Sequence, residues 1–451
     1  MIERMKAVAA AGAVAAFWLA VWVFVAALVA QPLILPGPGA VVVALLRLVC
    51  DAGTWAILAG SGARILGGLA LAAVCGGLLA GISSRSRAFA RLVAPALSFV
   101  KATPVACVVV LLLIWLGSAR VSIAVVFLMA LPGVYFSLVE GLAQFDQPLE
   151  QMFRLHGVQG WRLFCAHTWR EVLPFVLSCA RAVIGMSWKA GVAAELIGMA
   201  TGTVGERIYQ AKLLIETADL LAWTVLVVAA SWACERVLVW LLRASGPVAW
   251  RTAVRAHGHG LRGRTGAASD GAAAELALAV GDRAPWAPAL DGLVLHVPAG
   301  GRTCVMGASG VGKSTLLALA AGECAPCSMV FQDVRLVEDA SALDNVLVCA
   351  DARVDASSAA ALLRLLVPGV DVHARVAELS GGQRRRVEIA RALLCPGGAV
   401  ILDEPFTGLD VAARDATTKV VLDLLDGRTL LLATHDAADA QALDISDIIT
   451  L

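Results

Sequence analysis

Gly307-Ala308-Ser309-Gly310-Val311-Gly312-Lys313-Ser314-Thr315 sets three glycines ahead of a lysine and two hydroxyl side chains, a spacing suited to holding phosphate. Glycines let successive backbone N–H groups turn inward around an anion; Lys313 can reach terminal phosphate oxygens, and Ser314 can ligate Mg²⁺. The apolar run Thr303-Cys-Val-Met306 before this loop reads as a strand, and Leu316-Leu-Ala-Leu-Ala320 after it as a helix. Downstream, Ala399-Val-Ile-Leu402 reads as a buried strand ending in Asp403-Glu404. Those two carboxylates would stand at the C-terminal edge of a sheet, where ligands bind in doubly wound folds. There Asp403 can hold the Mg²⁺ shell and Glu404 can orient or deprotonate an attacking water. Between the two segments, Leu379-Ser380-Gly381-Gly382-Gln383 opens a basic helix, Arg384 to Leu393. This is a second anion site or simply a helix cap.

The elements that carry these residues occupy only part of the chain. Of its 451 residues, 59 % are hydrophobic and 16 % charged, against roughly half and a quarter in soluble domains. Much of the chain therefore belongs in lipid. A span needs about 20 apolar residues, and six segments qualify, approximately 8–30, 54–81, 92–116, 121–142, 175–198 and 220–242. The first is too long for a signal peptide and lacks a small-residue cleavage site before Gln31-Pro32. Basic residues cluster in every second loop: Arg4 and Lys6, then Arg85, Arg87 and Arg91, then Arg154, Arg162 and Arg170, then Arg243, Arg251 and Arg255. The positive-inside rule then places both termini in the cytoplasm. A net charge of +1 gives no field for nucleic acid, so no nucleic-acid partner is expected. The 11 cysteines are scattered; Cys324 and Cys327, without a second pair or a neighbouring histidine, read as small buried hydrophobes.

These features divide the chain into a transmembrane permease domain at 1–250, with a cytoplasmic loop at about 143–174, a linker at 251–274 and an α/β domain at 275–451. Leu379-Ser-Gly-Gly-Gln383 resembles the signature sequence of ABC ATPases. With the phosphate loop, Gln332 in VFQD, Asp403-Glu404, Asp410 in TGLD and His435 in LLATHD, every motif of that family stands in order. The resemblance covers 275–451 and implies a P-loop NTPase that binds ATP and Mg²⁺. It assigns Gln332 to sensing Mg²⁺ and the γ-phosphate, Asp410 to linking two ATP sites, and His435 to contacting the γ-phosphate. Ser380, Gly381, Gly382 and Gln383 would meet ATP held by a second subunit, which implies a homodimer. Trp286 falls where an aromatic would stack on adenine, or serves as a core or interface residue. The stretch from Lys313 to Gln332 is shorter than is usual in the family, which implies a shortened β-subdomain. The short stretch from His435 to Leu451 predicts no regulatory C-terminal domain.

Leu155-His-Gly157-Val-Gln-Gly-Trp-Arg-Leu-Phe164 in the loop before span five resembles the coupling loop of binding-protein-dependent importers, although Gln151-Met-Phe153 stands where Glu-Ala-Ala is usual. Lys101-Ala-Thr-Pro104, Ile114-Trp-Leu-Gly117 and Lys189 to Glu195 resemble nitrate, sulfonate and taurine permeases. The fold class expected is an all-α polytopic membrane domain of six helices followed by an α/β ATPase. The function implied is ATP-driven import of a small solute across the cytoplasmic membrane, a nitrate-, sulfonate- or taurine-like anion being the family-level candidate, with an extracytoplasmic solute-binding protein as partner. An exporter or flippase, or an ATP-driven regulator, is the alternative. Lys189 and Glu195, inside span five, would face the translocation path or pair with another helix.

Overall fold

The computed structural model describes residues 2–256, 273–280, 287–324 and 326–451. Two compact bodies emerge: Met1–Gln144 with Val172–Ser245, and Phe145–Glu171 with Gly246–Leu451.

The first body is helical. In chain order the helices up to Arg255 are α1 (Ile2–Val29), α2 (Pro38–Cys50), α3 (Ala52–Arg85), α4 (Arg87–Ala102), α5 (Val105–Leu116), α6 (Ser118–Ala143), α7 (Gln147–Leu155), α8 (Gly160–Leu163), α9 (Trp169–Gly198), α10 (Val204–Leu213) and α11 (Thr217–Arg255). Among the described residues, five segments are long and apolar enough to cross a membrane: Gly12–Val29, Ala52–Arg85, Ser118–Ala143, Gly160–Gly198 and Thr217–Arg255. The span expected at 92–116 is instead α4 and α5, bent by 103°. Pro104 is the cause: it offers no N–H, and it pushes Thr103 to φ −75°, ψ 130°, outside the helical region. Only by counting this broken pair as one does the number reach six.

Lipid supplies no hydrophobic drive between helices, so close packing through small residues takes its place. Gly68, Ala72, Gly76 and Ala80 recur every fourth residue along α3 and are buried. A Cβ at Gly68 would meet Ile123 O at 2.5 Å, and one at Gly76 would meet Val134 Cγ1 at 2.8 Å, both on α6. Glu195 is fully buried and paired: Arg64 Nε donates to it at 3.1 Å and Ser61 Oγ at 2.8 Å. Of the two readings of this residue, the structure realises pairing with another helix. Lys189 is exposed.

The second body is built on a five-stranded parallel sheet in the order β4-β5-β6-β3-β7. Its strands are β3 (Arg302–Met306), β4 (Ser328–Val330), β5 (Ala399–Asp403), β6 (Thr429–Thr434) and β7 (Asp447–Thr450). The antiparallel part, among the described residues, is the single pair β1 (Leu276–Ala279) and β2 (Val294–Val297). Helices α12 (Lys313–Glu323), α13 (Ala342–Leu347), α14 (Ala356–Leu366), α15 (Gly381–Leu394), α16 (Val411–Leu424) and α17 (Ala437–Ala442) complete it. Both sheet faces are covered, so β5 and β6 are buried along their whole length. Ile401 and Leu431 pack toward α12 and the β1–β2 pair; Val400, Leu402, Leu430 and Leu432 pack toward the helices α13 to α17. Each such side chain contributes about 1.5–3 kcal/mol.

The inter-span loop belongs to this body. Leu149, Met152, Phe153, Val158 and Leu163 join the core cluster that contains Leu316, Met329 and Ile401. The stretch expected to be a linker from 251 begins as the end of α11, which continues to Arg255; 257–272 lie outside the described residues, as does Trp286.

Candidate functional site

Strand register puts the reactive residues in one row. Asp403 pairs with Ala433 and Met306 with Thr434, so the ends of β5, β6 and β3 are level and adjacent. The phosphate loop leaves β3, Asp403-Glu404 ends β5, and His435 follows β6.

Gly310 and Gly312 hold φ of +83° and +116°, backbone that side chains resist. A Cβ at Gly307 would meet Leu451 O and Val311 Cγ1 at 3.0 Å, and one at Gly312 would meet Leu290 Cγ at 3.2 Å. Lys313 is buried, and its Nζ donates to Gly307 O at 2.7 Å and Ala308 O at 3.1 Å. Its ammonium therefore stands over the loop. Ser314 Oγ donates to Gln332 Oε1 at 3.3 Å. Asp403 is buried with its Oδ1 unpartnered; burial pushes its carboxyl above the ordinary value, the Ser314 hydroxyl opposes that, and the Glu404 charge adds to it. An orphaned carboxylate oxygen beside a hydroxyl and an amide oxygen is a hard, all-oxygen donor set, which fits Mg²⁺.

Glu404 occupies left-handed backbone at φ +44°, a conformation uncommon for its residue type. Its N–H donates to Ala433 O at 2.9 Å. Its carboxylate lies 3.3 Å from His435 Nδ1 and accepts from Thr407 Oγ1 at 3.4 Å. The turn presenting His435 is held by Asp436, which caps α17 through Ala438 N at 2.9 Å, and by Arg414, which bonds Asp436 and Asp439. Burial pushes the Asp439 carboxyl above its ordinary value.

Ser380 and Gln383 form a reciprocal capping box at the start of α15: Ser380 N donates to Gln383 Oε1 at 2.8 Å, and Gln383 N to Ser380 Oγ at 3.4 Å. Asp410 caps α16 through Ala413 N at 2.8 Å. Both turns are exposed.

A cleft of about 470 Å³ contains Ser314, Gln332 and Asp403 together with Gln151, Arg154 and Arg335. Two of these, Gln151 and Arg154, come from the inter-span loop. That loop folds by its own rules. Asp146 caps α7 through Leu149 N at 3.0 Å, and the helix ends with Gly157 N donating to Arg154 O at 3.1 Å and Val158 N to Phe153 O at 2.8 Å. This pair of hydrogen bonds needs a left-handed residue after the cap, which Gly157 supplies at φ +78°. Buried His156 reaches the outer edge of β4, where Met329 N donates to its Nε2 at 3.1 Å. Desolvation lowers its pKa to about 3, and the nearby Arg391 charge adds to that. Cys327 N donates to Leu155 O at 3.0 Å, and Arg162 Nη2 to Val348 O at 2.9 Å.

Residues that sequence reading missed lie in α15. Arg385, Glu388 and Arg391 form a buried ion triad, with Arg385 Nη1 at 2.9 Å and Arg391 Nη2 at 3.3 Å from the Glu388 carboxylate. Their spacing, every third position within a basic run, was the available signal.

Comparison with known proteins gives matches in both halves. Residues 73–248 match the family described as binding-protein-dependent transport system inner membrane component, and residues 325–407 match the ABC transporter family. The aliphatic sulfonates import ATP-binding protein SsuB 1 of Rhizobium johnstonii is 37 % identical over 175 residues, 34 % of this chain and 64 % of that protein. SsuB of Escherichia coli (strain K12) is 37 % identical over 179 residues, 34 % of this chain and 68 % of that protein. The chain thus spans just under two thirds of the first relative's length. A dimeric bacterial ABC transporter cassette, MJ0796, aligns at TM-score 0.33 with 25 % identity, over 36 % of this chain and 86 % of that one.

Proposed function

Because this chain belongs to the ABC transporter family, joining a binding-protein-dependent permease module to an ATP-binding module, we propose that it hydrolyses ATP to import a small solute. The observation that carries this is the convergence of Lys313, Ser314, Gln332, Asp403, Glu404 and His435 on one sheet edge, in a body that also contains the inter-span loop. Lys313 would neutralise the β- and γ-phosphates and Glu404 would take the proton of the attacking water, held in place by His435 and Thr407. Mg²⁺, held by Ser314, Gln332 and Asp403, would offset charge on the phosphate oxygens. Ser380 to Gln383 and Asp410 would complete the ATP site of a partner copy, so that two chains enclose two sites in a C₂ homodimer.

The relatives named for aliphatic sulfonate import make a sulfonate or similar small anion the first solute to test. An extracytoplasmic solute-binding protein would deliver it, and the chain would reside in the inner membrane with both termini in the cytoplasm. The test is uptake of a radiolabelled alkanesulfonate into proteoliposomes holding the full chain, with ATP enclosed inside and binding protein outside. Uptake against a gradient that requires both is expected, and Glu404→Gln should abolish it while ATP binding persists. ATP-driven movement in the opposite direction would favour an exporter; ATPase activity with no solute movement would favour a regulator.

A further inference from the structure

The guanidinium of Arg385 is buried at the second turn of α15, and all five of its N–H groups are used. Nε donates to Pro405 O at 3.2 Å. Nη1 donates to Phe331 O and, at 2.9 Å, to Glu388 Oε2. Nη2 donates to Asp403 O at 2.5 Å and Glu404 O at 2.8 Å. Three consecutive carbonyls of the turn that presents Asp403 and Glu404 are thus joined, through one planar group, to the carbonyl just before Gln332. Glu388 in turn accepts from Arg335 N at 3.1 Å, fixing the other side of the Gln332 turn.

We propose that Arg385 is a positioning residue for ATP hydrolysis, setting the separation between Glu404 and Gln332. Resting on the ATPase reading above, this adds to it a residue that touches neither nucleotide nor water. The physical case is geometric. Glu404 sits in backbone that its residue type disfavours, and such backbone persists only where surrounding bonds over-determine it. Arg385 supplies those bonds. A planar fork with five fixed donors can hold four carbonyls and a carboxylate at once, whereas a lysine ammonium, with three donors on a flexible stem, cannot.

The phosphate loop and Lys313 make no bond to Arg385, so ATP binding should not depend on it. Arg385→Gln removes the fork yet leaves Glu388 paired with Arg391, so no buried charge is stranded. In the full chain this variant should lose about 100-fold in kcat, the scale of a displacement near 1 Å, with ATP affinity kept within about threefold. Arg385→Lys, which keeps the charge and loses the fork, should show the same split. In a Gln332→Ala background the cost of Arg385→Gln should shrink to about tenfold or less, because the separation being held has lost one end. Equal cost in both backgrounds, or parallel loss of ATP affinity and kcat, overturns the proposal. So does failure of both variants to give the wild-type cooperative unfolding transition, which would make Arg385 a structural residue. A wild-type chain without ATPase activity would instead defeat the functional reading beneath it.

Discussion

In the turn after β3, Gly310 and Gly312 hold left-handed backbone and a Cβ at Gly307 or Gly312 would crowd its neighbours; at the first residue of α15, Gly381 does neither. It takes ordinary backbone at the helix start, and a Cβ there would meet nothing within 4 Å. Gly382 is intermediate, with Gly408 O at 3.2 Å from where its Cβ would stand. The first loop thus needs its glycines for its own folding. Among the described residues, nothing asks for Gly381. A glycine without an internal reason is what a surface requires when something from outside approaches the backbone closely, and that favours the composite ATP site proposed for two copies.

The sharpest way to break this comparison is to damage the two loops separately. Lys313→Ala removes the charge over the phosphates, and Gly381→Asp sets a negative charge where a partner's γ-phosphate would lie. Either homodimer should lose at least about 100-fold in kcat, as loss of a phosphate-clamping group does. A mixed dimer, purified through two different tags, concentrates both lesions in one site and leaves the other intact, so it should recover nucleotide trapping. A verified mixed dimer as inactive as both parents would remove the trans-site model. On stability the two loops part: Gly312→Val, forced to φ +116°, should lose roughly 1–3 kcal/mol, whereas Gly381→Ala should leave the unfolding midpoint unchanged. Equal destabilisation by the two would erase the distinction.

How far all this was legible depended on whether the signal was local. The strands β3, β5 and β6 are contiguous apolar runs, and the phosphate loop carries its constraint in its own glycines, so both were readable. Pro104 was visible as well, yet hydropathy averages across it, and the bend of α4 against α5 comes from backbone dihedrals that an average cannot hold. Loop residues Leu149, Met152 and Phe153 show an amphipathic face, but no pattern names the partner of such a face; their burial in the ATPase core had to be seen in three dimensions. Arg385 failed for the opposite reason. Charged residues are rarely buried unless paired, so a run of three arginines reads as solvated surface until Glu388 is placed among them.

Gly157 extends the comparison to a third glycine, one that, like Gly312, is needed by its own backbone. A valine there would have to adopt φ +78°, at roughly 1–2 kcal/mol, and would unmake the bonds that end α7. If the loop passes motion to Gln332, Gly157→Val should lower solute uptake about tenfold or more while basal ATPase stays within about threefold. Loss of both in proportion, or of neither, would leave the loop without a coupling role.

The smallest effect at neutral pH concerns His156, which tests whether the loop is a permanent part of the ATPase body. Its native pKa of about 3 lies below the ordinary 6.5. Between those values the unfolded chain binds a proton that the folded chain refuses, so the stability tied to neutral His156 is complete above pH 6.5 and is lost as pH falls toward 3. One proton of difference slopes at about 1.4 kcal/mol per pH unit. His156→Gln keeps an acceptor for Met329 N–H but cannot titrate, so its urea midpoint should fall less steeply than the wild type's between about pH 6.5 and 4. The other titrating groups are common to both proteins and cancel in the difference. The carboxylates whose pKa values are lowered, such as Asp355 at about 2, respond below that window. Parallel acid limbs in the two proteins would mean that His156 is solvated, and that the loop does not stay against β4.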